Sequence, residues 1–345
     1  MNSKQSIYLF LCVFFLFGCN ALQEEVSSDF KLLKLEIEAN DWTKRFDQEG
    51  LALRTKNKFN FNDLNEVSEI INIELKGLVD EIAFYTTPEM GENFHFVHSY
   101  TKADTTHLIF GINSDILYNY YDFQVITKEG NEYIVDVLNF YTGEYLTNHV
   151  EAFFDEEKKK NLEMVSPMFN DYIEKRCTVA WTYYTNLPDR IQVLPEFTEI
   201  KIDVASCISD SLAKAVRTSL IESEKLSAAS KAMHQLELGR VFADVPTLQK
   251  AIPKLQKIVG EDPFLDQLLP KAYSKNRQFD KALTTINEYL EKYPESEWAH
   301  YFKLDVYLFS GNDLGAKQWL SQIKKSFQID STYLANLYAI HPELQ

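Results

Sequence analysis

A 34-residue period near the C-terminus constrains the fold of this chain more than any other sequence feature. Three pairs of residues recur at this spacing: Tyr273 and Tyr307, Ala282 and Ala316, Ile286 and Leu320. Aromatic, small and large apolar residues at fixed intervals are typical of helical repeats, in which each unit is one helical hairpin. The period therefore predicts two hairpins over residues 263–328, with a small alanine where the paired helices cross.

These residues resemble the tetratricopeptide repeat. The aromatic, small, large-apolar and proline positions of that family are filled in the first copy by Tyr273, Ala282, Ile286 and Pro294. Asp266, Pro270 and Gln328 depart from the family pattern. The resemblance implies a concave groove that binds peptide segments or helices of other proteins, and hence a scaffold. The alternative is that so short a stack only covers a neighbouring domain.

Two further segments extend the predicted stack to residues 229–345. A degenerate third copy over residues 229–262 places three apolar residues in phase: Leu248, Ile252 and Leu255. Residues 331–340 are expected to form a closing helix, which a helical stack needs at its end. The groove would be lined by exposed residues of the first helices: Lys271, Lys275, His300 and Lys303.

The N-terminus has the pattern of a signal peptide. Lys4 precedes an apolar run over residues 7–17, which is shorter than the about 20 residues that span a bilayer. Gly18 and Cys19 then resemble the lipobox of bacterial lipoproteins, in which the cysteine receives the lipid. We expect residues 1–18 to be removed and Cys19 to anchor an exported protein in the bacterial cell envelope, at the outer membrane or the periplasmic face. The alternative is ordinary signal cleavage after Ala21.

The negative charge of the chain lies in its front part. The formal net charge is −16; residues 263–345 contribute 9 − 10 = −1 and residues 1–19 contribute +1, so residues 20–262 carry −16. Such a surface repels nucleic acid, anionic lipid headgroups and acidic partners. We interpret this charge as a solvated acidic surface rather than a cation site.

Residues 19–150 are predicted to form an α+β domain. Apolar residues at helical spacing cover 29–53 and 60–85, and four β-rich runs follow at 94–101, 107–114, 119–128 and 132–142. Short links between the runs predict a four-stranded antiparallel meander. N-terminal helices before such a sheet resemble the nuclear-transport-factor-2-like fold, whose members include enzymes, ligand binders and scaffolds. The whole chain is therefore predicted to be α+β, with a helical hairpin stack at its C-terminal end.

A pocket on the sheet, which would bind or turn over a small molecule, is the alternative functional site. Asp136 is expected in an apolar row of the last strand, on one face with Ile134 and Phe140. Burial there would raise its pKa and suit it to act as a general base. His98 alternates with aromatic residues on the first strand and would pair with Asp136. The competing interpretation is a hydrogen-bonded carboxylate and a histidine that only packs.

Sequence motifs for catalysis are absent. The chain has no Walker loop and no GxGxxG, GxSxG or HExxH motif, and its seven histidines are scattered. We therefore predict a non-enzymatic protein with no catalytic residues, no cofactor and no metal site. Its expected partners are a protein or peptide and, through the lipid, a membrane.

Residues 151–228 are predicted to be a helical connector with a β-rich insertion at 177–207. Two runs in the insertion, 178–185 and 197–205, are rich in β-branched and aromatic residues. Cys177 and Cys207 stand at its ends and are the one pair left once the signal peptide and the lipid site are set aside. In an oxidising envelope this pair is expected to form a disulfide; the alternative is two free buried thiols.

Overall fold

The computed structural model describes residues 31–39, 41–59, 64–85, 93–113, 118–192, 194 and 197–345. The predicted signal peptide and Cys19 lie outside these residues. The chain has the predicted α+β class. Its described residues divide into two compact units: a sheet unit, residues 31–238 with 250–262, and a hairpin unit, residues 239–249 with 263–345. Among the described helices, none is both long enough and apolar enough to cross a bilayer.

Before the sheet, the described residues form three α-helices and one 3-10 helix: α1 Lys31–Glu38, the 3-10 helix Thr43–Arg45, α2 Gln48–Phe59 and α3 Leu64–Tyr85. The single helix predicted over residues 29–53 is therefore wrong. Between α1 and α2, the amide of Asp47 donates to the carbonyl of Ile134, 2.8 Å away in the sheet. An amide inside a helix donates four residues back, so it is not available to a strand.

Five antiparallel strands follow in chain order: β1 Asn93–Lys102, β2 Thr105–Asn113, β3 Tyr118–Lys128, β4 Asn131–Asn139 and β5 Glu144–Tyr145. The predicted four-stranded meander is confirmed, and β5 adds two residues at one edge. The register shifts at Val97 in β1 and at Val135 in β4, so each of these strands has a β-bulge. A bulge reverses the face that the following side chains occupy, because side chains alternate along a strand.

One face of the sheet, which we call the inner face, packs against α1, α2 and α3. Trp42 lies at the centre of this core, fully buried and edge-on to Phe123, with ring centroids 5.1 Å apart. Phe110 and Tyr121 belong to the same apolar cluster. The alternate residues of β2 and β3 occupy the opposite, outer face.

Six helices come after the sheet: α4 Leu146–Ala152, α5 Glu156–Ile173, α6 Cys177–Asn186, α7 Asp189–Gln192, α8 Thr198–Ile208 and α9 Asp210–Glu222. The predicted β-rich insertion at 177–207 is wrong, because both of its β-rich runs are helices. Packing overrides β propensity here, since α6 buries Cys177, Ala180 and Tyr184 at helical spacing and packs against α8.

Cys177 and Cys207 lie at bonding distance, as the sequence predicted, with Cα atoms 6.0 Å apart. Cys177 is the first residue of α6, and Cys207 is in the last turn of α8. The sulfur bridge therefore closes an antiparallel pair of helices rather than a β-hairpin.

Helical hairpins and a closing helix complete the chain. The first hairpin is α10 Ala228–Val241 with α11 Val245–Val259; the second is α12 Pro263–Asp266 and α13 Leu268–Lys275 with α14 Phe279–Lys292; the third is α15 Glu297–Phe309 with α16 Asp313–Ser326; α17 Ser331–Ile340 and the 3-10 helix Pro342–Leu344 follow. The hairpins and the closing helix predicted from the sequence are confirmed. Five of the six predicted packing residues are buried, and Tyr307 is half-buried.

The three hairpins turn in the same way at 34-residue intervals. The turn residues Ala243, Arg277 and Gly311 have φ angles of 50°, 58° and 72°. In each turn the next amide donates to the carbonyl five positions earlier: Asp244 to Gly239 at 2.8 Å, Gln278 to Tyr273 at 2.9 Å and Asn312 to Tyr307 at 2.9 Å. This is the Schellman arrangement that ends a helix on a left-handed residue. The degenerate copy predicted over 229–262 therefore shares the turn geometry of the other two.

The first hairpin exchanges the sizes of two packing residues. Gly239 and Leu248 occupy the positions held by Tyr273 and Ala282 in the second hairpin. A Cβ atom built on Gly239 would lie 2.7 Å from Cγ of Leu248, closer than packed carbon atoms approach. A large residue therefore faces a small one at each of these two crossings. The small residue is on the first helix in the first hairpin and on the second helix in the second hairpin.

Candidate functional site

The first helices of the second and third hairpins present lysines and aromatic rings side by side. Nζ of Lys271 in α13 lies 5.0 Å from the ring centroid of Trp298 in α15. Trp298 stacks on Phe302, with centroids 5.1 Å apart and planes inclined by 15°. These three side chains are half-buried, and Lys275, one helical turn beyond Lys271, is exposed. We call Lys271, Lys275, Trp298 and Phe302 the first-helix strip.

Of the other two predicted groove residues, Lys303 is buried and His300 is half-buried. Lys303 is 8 % exposed, and its Nζ lies 3.5 Å from the ring centroid of Trp319. His300 is half-buried, stacks on the same ring at 5.3 Å, and places Nε2 2.8 Å from the carbonyl of Pro294. The prediction of an exposed side chain is wrong for Lys303, because a lysine stem packs along apolar surface while its ammonium group meets an aromatic face. His300 is half-buried, as Lys271 is.

Asp305, three residues after Phe302, was missed by sequence reasoning. Burial raises the pKa of Asp305 to about 7. Its charge contributes, after burial, to the raised pKa of Tyr333 in α17, and the Tyr333 ring meets that of Tyr301 at 5.2 Å. A carboxylate on a helix usually lies in solvent, so only the packing of α17 reveals this one. The charge beside the strip therefore changes near neutral pH.

On the sheet, the two predicted pocket residues lie apart. His98 is on β1 and Asp136 on β4, three strand spacings away, which corresponds to about 14 Å. Asp136 accepts hydrogen bonds from the amide of Val137 at 2.9 Å and from the amide and hydroxyl of Thr147 at 3.1 and 2.6 Å. Burial raises the pKa of Asp136, and these bonds oppose the rise. Asp136 therefore anchors the start of α4 and does not pair with His98.

The two β-bulges explain why the sheet faces predicted for His98 and Asp136 were wrong. Val135 separates Ile134, which belongs to the inner core, from Asp136 on the outer face. Val97 likewise separates Phe96, packed on the inner core, from His98 on the outer face. Strict alternation along either strand would have placed each pair on one face.

His107 and Asp122 form a histidine–carboxylate pair on the outer face. Nδ1 of His107 lies 2.7 Å from Oδ2 of Asp122. The ring of Tyr100 stacks on His107, with centroids 4.5 Å apart and planes within 3°. Burial raises the pKa of Asp122 and His107 opposes it, while burial and the Asp122 charge raise the pKa of Tyr100 to about 12. No sequence spacing indicates this cluster, because its three residues come from three strands.

Asp262, which follows α11, is a second buried carboxylate that the sequence did not indicate. It is 1 % exposed and accepts a hydrogen bond from the Tyr120 hydroxyl at 2.6 Å. Nε2 of His95 lies 3.3 Å from its other oxygen. Gly260, with φ of +89°, passes so close to His98 that a Cβ atom would meet the His98 Cβ at 2.8 Å. The segment after α11 is thereby held on the outer face of the sheet.

His234 in α10 is the most deeply buried histidine described here. It has 0 % exposure, and its ring centroid lies 4.9 Å from that of Tyr141. Among the described residues, neither ring nitrogen has a hydrogen-bond partner. Burial, with the charges of Arg217 and Lys201, lowers the pKa of His234 to about 3. The imidazole is therefore neutral at physiological pH.

The part of the chain that the structure describes holds no group of three histidine, cysteine, aspartate or glutamate side chains placed to bind a metal ion. No protein-family model, curated protein or solved structure matches the sequence. Function is therefore inferred from the residues and their geometry.

Proposed function

We propose that this protein is a non-enzymatic binding or assembly scaffold that holds a partner protein or peptide on the first-helix strip. The observation that carries the proposal is the approach of Lys271 to Trp298 across two hairpins, at 5.0 Å. Tryptophan is enriched among the residues that dominate binding energy at protein interfaces. The lysines beside the ring attract acidic groups of a partner. Residues 20–262, with a net charge of −16, repel such groups, so acidic groups are attracted to the strip rather than to that region.

The resemblance of the repeated residues to the tetratricopeptide repeat supports the same proposal, since that family binds peptides on its first helices. The alternative, in which the stack only covers a neighbouring domain, gives no role to an exposed Lys275 or to a half-buried Trp298. We therefore prefer the binding scaffold.

We further propose that the protein is a lipoprotein of the bacterial envelope, tethered through Cys19. The support is the signal-peptide pattern of residues 1–18 and the lipobox-like Gly18 and Cys19. Replacing Cys19→Ala is expected to move the protein from the membrane to the soluble fraction after cell breakage. Retention of the variant in the membrane fraction would show that the anchor is elsewhere.

Crosslinking in the native envelope, followed by recovery of the full-length protein, tests the strip. We expect Trp298→Ala and Lys271→Glu each to lower partner recovery by about tenfold, the loss typical of a residue that dominates an interface. Leu314→Ala and Lys317→Glu are the matched controls, because both residues are exposed on α16, the second helix of the third hairpin. Circular dichroism would verify that each variant folds.

Unchanged recovery with the strip variants, or an equal loss with the two control variants, would contradict binding at the strip. Recovery of no partner at all would favour the covering role of the stack.

A further inference from the structure

An open cleft lies between α1, the 3-10 helix that follows it and the start of β4. Its volume is about 450 Å³, within the range of about 300–1,000 Å³ that small-molecule sites occupy. Glu36 of α1, Lys44 and Arg45 of the 3-10 helix, and Asn131 and Tyr133 of β4 line it. The side chains of Lys44 and Arg45 are 54 % and 25 % exposed, so a ligand from solvent reaches both cations. We call these five residues the α1–β4 cleft.

The walls of the cleft are fixed by the packing around them. Trp42, immediately before the 3-10 helix, is fully buried, and Phe46, immediately after it, is buried as well. Phe46 pairs with Ile134 of β4 as an isolated parallel bridge, and the amide of Asp47 donates to the carbonyl of the same Ile134. The 3-10 helix is therefore fastened to the edge of β4, and a ligand does not have to order the cleft when it binds.

Glu36 orients the guanidinium of Arg45 and leaves one of its edges open. Nε of Arg45 lies 2.8 Å from Oε2 of Glu36, and Nη2 lies 3.4 Å from Oε1. A guanidinium has five N–H donors in a fixed plane, and these two bonds use two of them. Among the described residues, Arg45 has no other hydrogen-bond partner. Nη1 and the second N–H of Nη2 thus form a free edge, which matches the two oxygens of a carboxylate.

The other groups that line the cleft add donors to this edge. Nζ of Lys44 lies 2.6 Å from Oδ2 of Asp41, but both side chains are more than half exposed, and an exposed ion pair contributes little to stability. Lys44 can therefore turn to a ligand at small cost. The side-chain amide of Asn131 and the hydroxyl of Tyr133 have no hydrogen-bond partner in the described part of the chain. Glu36, the carboxylate of the cleft, has both oxygens bonded already.

The surroundings favour a ligand with a single negative charge. Asp41 stands beside Lys44, Glu132 acts electrostatically on Arg45, and residues 20–262 carry a net charge of −16. These charges repel each further negative charge of a ligand, whereas one carboxylate is compensated locally by the free edge of Arg45. The half-buried ring of Tyr133 offers an apolar surface to the remainder of the ligand.

We propose that the α1–β4 cleft binds a small organic acid that has one carboxylate and an apolar or aromatic body. The carboxylate accepts hydrogen bonds from the free edge of Arg45 and from Lys44, and the body of the ligand lies along the ring of Tyr133. This site is in the sheet unit, and its residues are separate from the first-helix strip.

Benzoate is the probe and benzamide is its control, because the two molecules have the same shape and only benzoate is charged. Full-length protein labelled with ¹⁵N-arginine is titrated with each compound in the millimolar range at pH 7.5. We expect a saturable shift of the Arg45 Nε signal with benzoate and none with benzamide. Phenyl phosphate, which has a second negative charge at this pH, is expected to bind less tightly than benzoate.

Variants locate the site, with benzoate binding followed on the ligand by saturation-transfer NMR. Arg45→Lys is expected to weaken binding about tenfold, because lysine cannot form two parallel hydrogen bonds to a carboxylate. Arg54→Lys is the matched control and should leave binding unchanged, since Arg54 is 53 % exposed on α2 and does not line the cleft. If Arg45→Lys does not fold, the exposed Lys44→Gln takes its place, with an expected loss of about threefold.

Several results would overturn the proposal. These are equal shifts with benzoate and benzamide, no shift with benzoate, tighter binding of phenyl phosphate than of benzoate, or benzoate binding by the cleft variant that equals that of wild type.

Discussion

The hairpin unit and the sheet unit differ in how directly their sequences specify them. In the hairpins, the 34-residue period of the sequence is also the spacing of three turns. Each turn has one residue in the left-handed conformation, followed by the same backbone hydrogen bond. In the sheet unit, two bulges reverse the faces of neighbouring residues, and two β-rich runs fold as helices. Contacts within a repeat join residues close in sequence, so the spacing of apolar residues predicts the hairpin directly. Strand pairing and helix docking depend on segments that are distant in sequence.

Burial shifts the pKa of one histidine in the sheet unit and of one aspartate in the hairpin unit in opposite directions. In the sheet unit the pKa of His234 is lowered to about 3, and in the hairpin unit the pKa of Asp305 is raised to about 7. Desolvation is the first cause of both shifts, since it penalises the charged form of either group. His234 and Asp305 therefore change the free energy of unfolding in opposite directions as the pH falls.

The largest expected effect is that of removing the disulfide, which lies in the sheet unit. Replacing Cys177→Ser and Cys207→Ser together opens a loop with a sequence separation of 30 residues. For a loop of that size we expect the free energy of unfolding to fall by about 3–4 kcal/mol. Urea unfolding followed by circular dichroism measures the loss.

Reductant provides the control for this comparison. It should lower the unfolding midpoint of the wild type and leave the double variant unchanged. A double variant whose unfolding midpoint still falls on addition of reductant would show that the lost stability does not come from this disulfide.

The next effect is the pH dependence carried by His234. Between its ordinary pKa of 6.5 and its folded pKa of about 3, the unfolded chain binds a proton that the folded chain does not. The free energy of unfolding therefore falls as the pH drops through this window, by about 3 kcal/mol between pH 6.5 and pH 4. His234→Leu should remove this part of the fall, as unfolding at the two pH values will show. An unaltered pH dependence in the variant would mean that His234 is not neutral in the fold.

A smaller effect tests whether the first hairpin is a true copy with exchanged residue sizes. Gly239→Ala places a Cβ atom 2.7 Å from Cγ of Leu248, and we expect this overpacking to cost about 2 kcal/mol. Leu248→Ala in the same chain should relieve the clash, giving a coupling energy of about 1–2 kcal/mol in a double-mutant cycle. Additive effects of the two substitutions would show that the residues do not share one crossing.

The smallest expected effect is that of Asp305. Between its ordinary pKa of 3.8 and its folded pKa of about 7, the folded chain binds the extra proton, so the free energy of unfolding falls as the pH rises. Asp305→Asn should therefore stabilise the protein at pH 8 by about 1 kcal/mol, a value reduced for partial exposure. Thermal unfolding at pH 5 and pH 8 measures the change. A variant that gains stability at pH 5 instead would reverse the assigned sign.

The sequence by itself determined the features whose residues are close in the chain or strongly patterned. These are the hairpins and their closing helix, the four principal strands in their order, and the α+β class. The cysteine pair also followed from the sequence, because Cys177 and Cys207 remained after two other cysteines had been assigned. The hairpins and the strands could be predicted because the spacing of apolar residues within one segment indicates each of them.

Only the tertiary structure decided the faces of the sheet and the sites on it. Asp262 meets Tyr120 across 142 sequence positions, and no local pattern encodes such a distance. The bulges at Val97 and Val135 arise from pairing with neighbouring strands. His107 meets Asp122 because β2 pairs with β3. The segments Cys177–Asn186 and Thr198–Ile208 are helical because their apolar faces pack against neighbouring helices. Burial and pairing with distant segments overrode local propensity in each case, and neither can be read from a segment taken alone.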